Sequence, residues 1–299
     1  MVGLVLTTSI AFSVEARAAG EALARLKRTM DAWTSFEFTV RTEVIRRSRS
    51  DDSNKPHMIL LEHYIQTAKG QRLLEDTSLL DDPDATNRYY HDGELAREFT
   101  ITGGRASRAL QVVVKRDFRK EANPNVSEVP HPIKWLFLEQ KPIHEVVRPS
   151  DYVGEETRIG RKCQVYLCRN KSLYVKKSNF VYVLDEATGF PLEVRLHETG
   201  REPDEANIVS RWQAREAGLV DGVLVPWKSS LLSYPRQENE TQRTLKYEHR
   251  QTIENFEFNK RYPDSLFRPA IPPGASVVDE VRKRVYVQPG SSNRRPSSG

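Results

Sequence analysis

The stretch Phe180 to His197, FVYVLDEATGFPLEVRLH, constrains this chain more than any other. Phe180, Tyr182 and Leu184 alternate with Val181, Val183 and Asp185, so a strand here has two largely apolar faces. The turn Asp185-Glu186-Ala187-Thr188-Gly189 follows. Gly189 tolerates a positive φ there, and the Asp185 side chain is placed to cap the turn. Leu192, Val194 and Leu196 then alternate with Glu193, Arg195 and His197, giving a strand with one buried and one wet face. Strands of this kind belong to an antiparallel sheet that covers something apolar on one side.

The rest of the chain repeats that style. Ala22, Leu23, Leu26, Met30 and Trp33 recur at helical spacing and predict a leading helix over 19–33. Phe36, Phe38, Val40, Thr42 and Val44 then share one face of a strand. Met58–Thr67, Arg72–Thr77 and the two arms around Asp92-Gly93 read as further strands, since Asp-Gly between strand-like runs marks a tight hairpin. Ser107–Glu121, with Leu110, Val113, Val114 and Phe118 on one side, predicts a helix, and Ile133–Gln140 after Pro132 predicts a second. From Tyr152 the chain is strand-rich again, with Asp221-Gly222 as another turn. Strands recur without βαβ alternation, so the fold class is mainly β (α+β) with an antiparallel sheet. One domain over 19–287 is expected, and the composition of 288–299 (QPGSSNRRPSSG) predicts a disordered tail.

The first 18 residues read as a targeting signal. Leu4 to Val14 is a short apolar run, followed by the cleavage pattern Ala16-Arg17-Ala18. The run is too short to span a bilayer. Export is the expected fate, which in a bacterium means the periplasm or beyond.

Chemistry-bearing motifs are absent from the sequence. The 7 histidines show no zincin spacing, and neither a G-x-S-x-G elbow, a P-loop nor a G-x-G-x-x-G run occurs. The 2 cysteines, Cys163 and Cys168, lie five apart in a strand, where their side chains point to opposite faces and read as small apolar groups. Asp81, Asp82 and Asp84 read as a solvated loop, with calcium as the alternative. Net charge is +5, with Arg282, Lys283, Arg284, Arg294 and Arg295 near the C-terminus. There is no basic helix or aromatic-interleaved basic strand, so nucleic acid is not an expected partner. No cofactor, metal or catalytic residue is assigned, and the chain is read as a non-enzyme.

Three stretches together resemble a known family. They are Tyr89–Glu94, Val181–Val194 and Asn259–Val278. Leu184 to Pro191 matches a Leu-Asp-x-x-Thr-Gly-x-Pro hairpin, and Phe267 with Pro272-Pro273-Gly274 matches a closing segment. These motifs resemble the LolA/LolB-like superfamily, the periplasmic lipoprotein carriers and their relatives. The resemblance implies a single unclosed antiparallel β-barrel of about eleven strands, with an apolar concave face, a leading helix and lid helices. This chain departs from the pattern in one place: Met58–Arg72 holds no Arg-Pro element, so no lid arginine is carried over.

On that reading Phe36, Phe38, Val40, Leu192, Val194, Leu196 and Trp212 line the concave face, and Trp135, Leu136 and Phe137 are the lid contacts. The same residues read equally as ordinary core. A cavity of several hundred Å³ marks the first case and a filled interior the second. The implied function is a periplasmic carrier of a lipid or acylated lipoprotein. The alternative is a non-enzymatic sensor or interaction module that acts on a protein partner, a membrane-bound one included.

Overall fold

The structure, a computed structural model, describes residues 20–47, 55–80, 86–102, 109–116, 132–138, 141–172, 177–200, 203–235 and 243–290. The expected signal 1–18, the Asp81–Asp84 loop and most of the expected tail lie outside these residues. A leading helix, α1 (Glu21–Ala32), comes first. The first strands are β1 (Ser35–Arg46), β2 (Met58–Thr67), β3 (Arg72–Ser78), β4 (Thr86–His91), β5 (Ala96–Thr102) and β6 (Ala109–Lys115). A 3-10 turn (Pro132–Leu136), β7 (Phe137–Leu138), β8 (Lys141–Pro142) and the short α2 (Ile143–Val146) follow. Then come β9 (Tyr152–Arg158), β10 (Arg161–Ser172), β11 (Lys177–Asp185), β12 (Pro191–His197) and β13 (Ile208–Val220). The last are β14 (Val223–Ser233), β15 (Tyr247–Phe258), β16 (Ser276–Asp279) and β17 (Arg284–Val287).

These elements sort into two compact units. Unit 1 takes Met1–Trp33, Val40–His57 and Glu128–Glu254; unit 2 takes Thr34–Thr39, Met58–Ser127 and Asn255–Gly299. The strands β1 and β15 contribute residues to both. In unit 1 the hydrogen-bonded order is β1-β15-β14-β13-β12-β11-β10-β9. In unit 2 it is β17-β16-β6-β5-β4-β3-β2-β1-β15. Neither order returns on itself, so the sheet is open as expected.

Several expectations are corrected. Among the described residues the sheet order contains 15 strands rather than about eleven. Of the expected helix over Ser107–Glu121, residues 109–115 form β6 instead. Leu110, Val112 and Val114 alternate just as well as Leu110, Val113 and Val114 follow a helix, and three successive β-branched valines favour the strand. The expected helix over Ile133–Gln140 is a 3-10 turn that runs into β7, its run Trp-Leu-Phe-Leu leaving no polar face for a surface helix. The lid helices are therefore not matched. Two short strands after Pro272-Pro273-Gly274 were not expected at all, and β16 pairs with β6 in parallel. The two cysteines stand as expected: Cys163 and Cys168 are free and buried.

In unit 1, α1 buries Ala22, Leu23, Leu26 and Met30. It rests on the turn between β11 and β12. Asp185 caps that turn as expected: Thr188 donates its N–H (2.9 Å) and its hydroxyl (2.7 Å) to one carboxylate oxygen. Arg161 grips the same carboxylate from β10 at 2.7 and 3.1 Å. Gly189 has φ +78°, and a Cβ there would lie 2.1 Å from the Ala22 carbonyl oxygen and 2.7 Å from the Leu26 Cβ. Only glycine lets the helix sit this close. Arg25 adds a hydrogen bond to the Glu186 carbonyl (2.8 Å), and the Ala22 N–H donates to Gln164 Oε1 (3.4 Å). In unit 2 the apolar residues gather in smaller groups, Phe99, Val112, Val114, Ala275 and Val277 in one and Ile65, Leu73 and Phe267 in another.

Candidate functional site

The strand register in unit 1 builds one continuous row. Tyr166 opposes Tyr182, Tyr182 opposes Val194, Val194 opposes Trp212, and Trp212 opposes Leu231. Directly opposed residues share a face, so one row of large side chains crosses five strands. Leu196 stands in the next row, between Phe180 and Ser210. Leu192 precedes Val194 by two and shares its face. Four residues expected on the concave face, Leu192, Val194, Leu196 and Trp212, are thus brought together. Trp135 joins them from the 3-10 turn, its ring centroid 6.0 Å from that of Trp212. Phe137 instead meets Trp33 edge to face at 6.3 Å. Val40 and Leu136 are buried in the same unit.

Phe36 and Phe38 belong to unit 2. Phe36 packs on Phe256 and Phe258, with centroids 6.2 and 5.2 Å away, and Phe38 on Tyr64 at 5.2 Å. In unit 1 the centre of the row is closed over, while Leu196 is half-buried. Val194 and Trp212 are 0% exposed, and Leu192 and Trp135 are 1% exposed. The interior holds polar atoms that alternation does not reveal. Trp135 Nε1, Trp212 Nε1 and the Tyr182 hydroxyl are buried without an acceptor among the described residues. Tyr182 and Trp212 flank Val194 from either side, so these donors surround the residue at the centre of the row. Burial pushes the Tyr182 hydroxyl pKa well above the ordinary value, which leaves it a neutral donor. Tyr166 differs, since its hydroxyl donates to Gln164 at 2.7 Å.

The opposite face of the same strands is ionic. Glu193, almost fully buried, takes Arg195 Nε at 2.6 Å on one oxygen and Arg158 on the other. Glu156 binds Arg195 Nη2 at 2.6 Å and also Arg158. Burial pulls the Glu193 carboxyl upward, but Arg195 and Arg158 outweigh it and hold the group below the usual carboxylate range. The network locks β9, β12 and their neighbours in register. Its groups are mutually satisfied, which suits a structural role. Sequence reading saw only a wet face here, because cross-strand pairing decides which charges meet.

Among the described residues no group of three or more His, Cys, Asp or Glu is placed to hold a metal ion. None of the described helices is long and apolar enough to cross a membrane.

No protein-family model matches the chain, and no curated protein sequence matches it. Solved structures do. A domain from Vibrio parahaemolyticus named for outer membrane lipoprotein sorting is similar at TM-score 0.46 and 12% identity, over 84% of this chain and 95% of that chain. A LolA superfamily protein from Nitrosomonas europaea is similar at TM-score 0.44 and 7% identity, over 83% and 97%. A DUF1329 family protein from Desulfovibrio piger is similar at TM-score 0.44 and 12% identity, over 84% and 96%. The family that the sequence motifs resemble is among those matched. At these scores the likeness concerns general architecture and assigns no role to any residue.

Proposed function

We propose that the chain is an exported, non-enzymatic interaction module that acts on a protein partner through its polar surface. One observation carries this reading: the side chains expected to line a hollow in unit 1 are packed against one another. Val194 and Trp212 are 0% exposed, and Trp135 seals the row at 6.0 Å from Trp212. Interiors packed in this way have crystal-like density. An acyl chain gains roughly 0.8 kcal/mol per buried CH₂ only where space exists to receive it. The apolar run Leu4–Val14 with Ala16-Arg17-Ala18 supports export.

Native mass spectrometry of the purified protein, followed by solvent extraction, tests the proposal. The expected result is a bare protein mass and no uptake of a fluorescent fatty acid. A co-purifying lipid, or uptake abolished by Val194→Asp in a folded variant, overturns it.

A second reading has its own observation. The donors of Trp135, Trp212 and Tyr182 are buried without acceptors. Each such group costs about 1–3 kcal/mol, which a core kept purely for stability has no reason to bear. A carrier of an acyl chain or acylated lipoprotein would offer them an ester or amide carbonyl once the Trp135 turn moved aside. Uptake of the fatty acid that Trp135→Ala accelerates would favour this second reading.

A further inference from the structure

Unit 1 carries a depression of about 330 Å³ on its ionic side, formed by β1, β15, β14 and β13. We propose that it docks an acidic, extended segment of a protein partner, held by carboxylate–guanidinium pairs. The proposal rests on the interaction-module reading and names the chemistry of the partner.

Strand alternation assembles the depression. Arg41 and Glu43 lie two apart on β1, and Glu248 and Arg250 two apart on β15. Arg250 opposes Ser230 on β14, and Ser230 opposes Gln213 on β13. Ser230 is 2% exposed. Its oxygen accepts Arg215 Nε at 3.1 Å and Gln213 Nε2 at 3.3 Å. Both of those groups only donate, so the Ser230 hydroxyl proton has no acceptor among the described residues. It is a buried donor set among cations.

Among the described residues the charges do not cancel. Glu248 is shared between Arg47 and Arg250, and Arg41 holds Glu43 only at 3.4 Å. Lys228 pairs with Glu216 at 2.8 Å. Arg215, exposed at the rim, meets no carboxylate among the described residues. Among the described lining residues cations therefore outnumber carboxylates, and the Arg215 guanidinium, with Arg41 and Arg250 beside it, is suited to planar, two-point recognition of a carboxylate.

The layout favours a segment over a compact anion. Two strand spacings, about 10 Å, separate β1 from β14, where the Arg215 guanidinium meets Ser230, and an extended chain covers that in about three residues. Glu43 and Glu248 within the depression repel a compact dianion such as phosphate more than they repel single carboxylates spaced along a chain. A partner with acidic side chains at alternate positions meets Arg41 over β1 at one end, and Arg250 and Arg215 on the two strands that flank Ser230 at the other.

The test uses the full chain and a fluorescein-labelled decapeptide of alternating Glu and Ser, titrated by anisotropy at low salt. Wild type should bind, and added salt should weaken the complex. Arg215→Glu should weaken it about tenfold or more, and Arg215→Lys less, because the fork is lost while the charge stays. Lys283→Glu, at the β16–β17 turn in unit 2, should leave affinity unchanged. Lys228→Glu serves as a second variant if Arg215→Glu fails to give a wild-type melting profile. Absence of wild-type binding, equal binding by both charge reversals, or displacement of the peptide by equimolar inorganic phosphate would overturn the proposal. Those results leave the module reading intact so long as the mass is bare. A co-purified lipid defeats that reading separately.

Discussion

Unit 1 and unit 2 bury different things. In unit 1 the row from Tyr166 to Leu231 is aromatic and aliphatic, and its polar atoms at Tyr182 and Trp212 are left without acceptors. In unit 2 the buried positions include Gln66, Thr67, Gln71 and Asp92, and hydrogen bonds partner them. Asp92 is the fullest case. It takes the N–H groups of Glu94 and Leu95 at 3.0 and 2.8 Å, and Arg97 and Arg268 at 3.0 and 3.1 Å. Burial raises its pKa, but these donors win and hold the carboxyl down at about 2. The contrast is between two centres: the packed row of unit 1 tolerates unpaired donors, while Asp92 in unit 2 is fully satisfied. Unit 1 also holds the satisfied Glu193 network, and unit 2 the unpartnered Asp76 Oδ1 and Arg72 Nε among the described residues. Packing is broken by a change of volume, and polar satisfaction by a change of protonation or by loss of one partner.

The largest expected effect is on unit 1. Gly189→Ala introduces a Cβ 2.1 Å from the Ala22 carbonyl oxygen at a φ of +78°. Strain and overlap together should cost about 4 kcal/mol or undock α1. Urea unfolding and amide exchange over residues 21–32 measure this. An unchanged midpoint with unchanged exchange would show that α1 does not depend on the turn. In unit 2, Phe267→Ala should cost about 3 kcal/mol, because a fully buried ring is lost from the small group formed with Ile65 and Leu73. A cost below about 1 kcal/mol would mean that apolar packing there counts for even less than the comparison claims.

Much of this was legible in the sequence, for a local reason. The hairpin Leu184–Pro191 announces itself because Asp185, Thr188 and Gly189 satisfy the turn with neighbours in the chain. The same holds at Asp92-Gly93, where the Asp92 carboxylate accepts from residues two and three positions on. The leading helix and the β1 alternation depend on periodicity alone. What failed depended on distant partners. Residues 109–115 carry a pattern that fits helix and strand alike, and the decision falls to β5 and β16 on either side. Four-residue strands such as β16 and β17 are too short to show a period. At the candidate site, alternation identified Val194 and Trp212 as inward-facing but not whether space lay over them. The basic depression was invisible because Arg41, Arg215 and Arg250 lie far apart in the chain and meet only through register.

Tyr182→Phe probes the unpaired donors of unit 1 directly. The substitution keeps the ring and removes a buried hydroxyl that has no acceptor. Stability should stay level or rise by about 1 kcal/mol, read from denaturant midpoints at constant slope. A loss of about 1 kcal/mol or more would show that the hydroxyl has a partner, and the contrast between the units would weaken accordingly.

The smallest effect is on a ladder in unit 2, and it depends on pH. His63 opposes Glu75 on β3, and Glu75 opposes Arg88 on β4. The His63 ring lies 3.3 Å from Glu75 and 2.9 Å from Glu37 on β1. Glu37 is held in turn by Lys260 at 2.9 Å and by the Tyr262 hydroxyl, and Glu75 by Arg88 at 2.7 Å. The hydrogen bond to Glu75 raises the His63 pKa above 6.5, Glu37 adds to it, and partial burial opposes both. A raised folded pKa stabilises the fold fully below 6.5, and the contribution is lost as pH climbs through the folded value. Glu37 and Glu75 have depressed pKa values and work in the opposite sense at the acid end, contributing above 4.5 and losing their contribution as pH falls. His63→Gln should therefore cost less than about 1 kcal/mol at pH 6, since the ring is partly exposed, and the gap to wild type should narrow toward pH 9. Thermal melts of both proteins across that window measure the gap. A gap that stays constant from pH 6 to pH 9 would mean that His63 is held by neutral hydrogen bonds alone, and unit 2 would then be no more sensitive to protonation here than the packed row of unit 1.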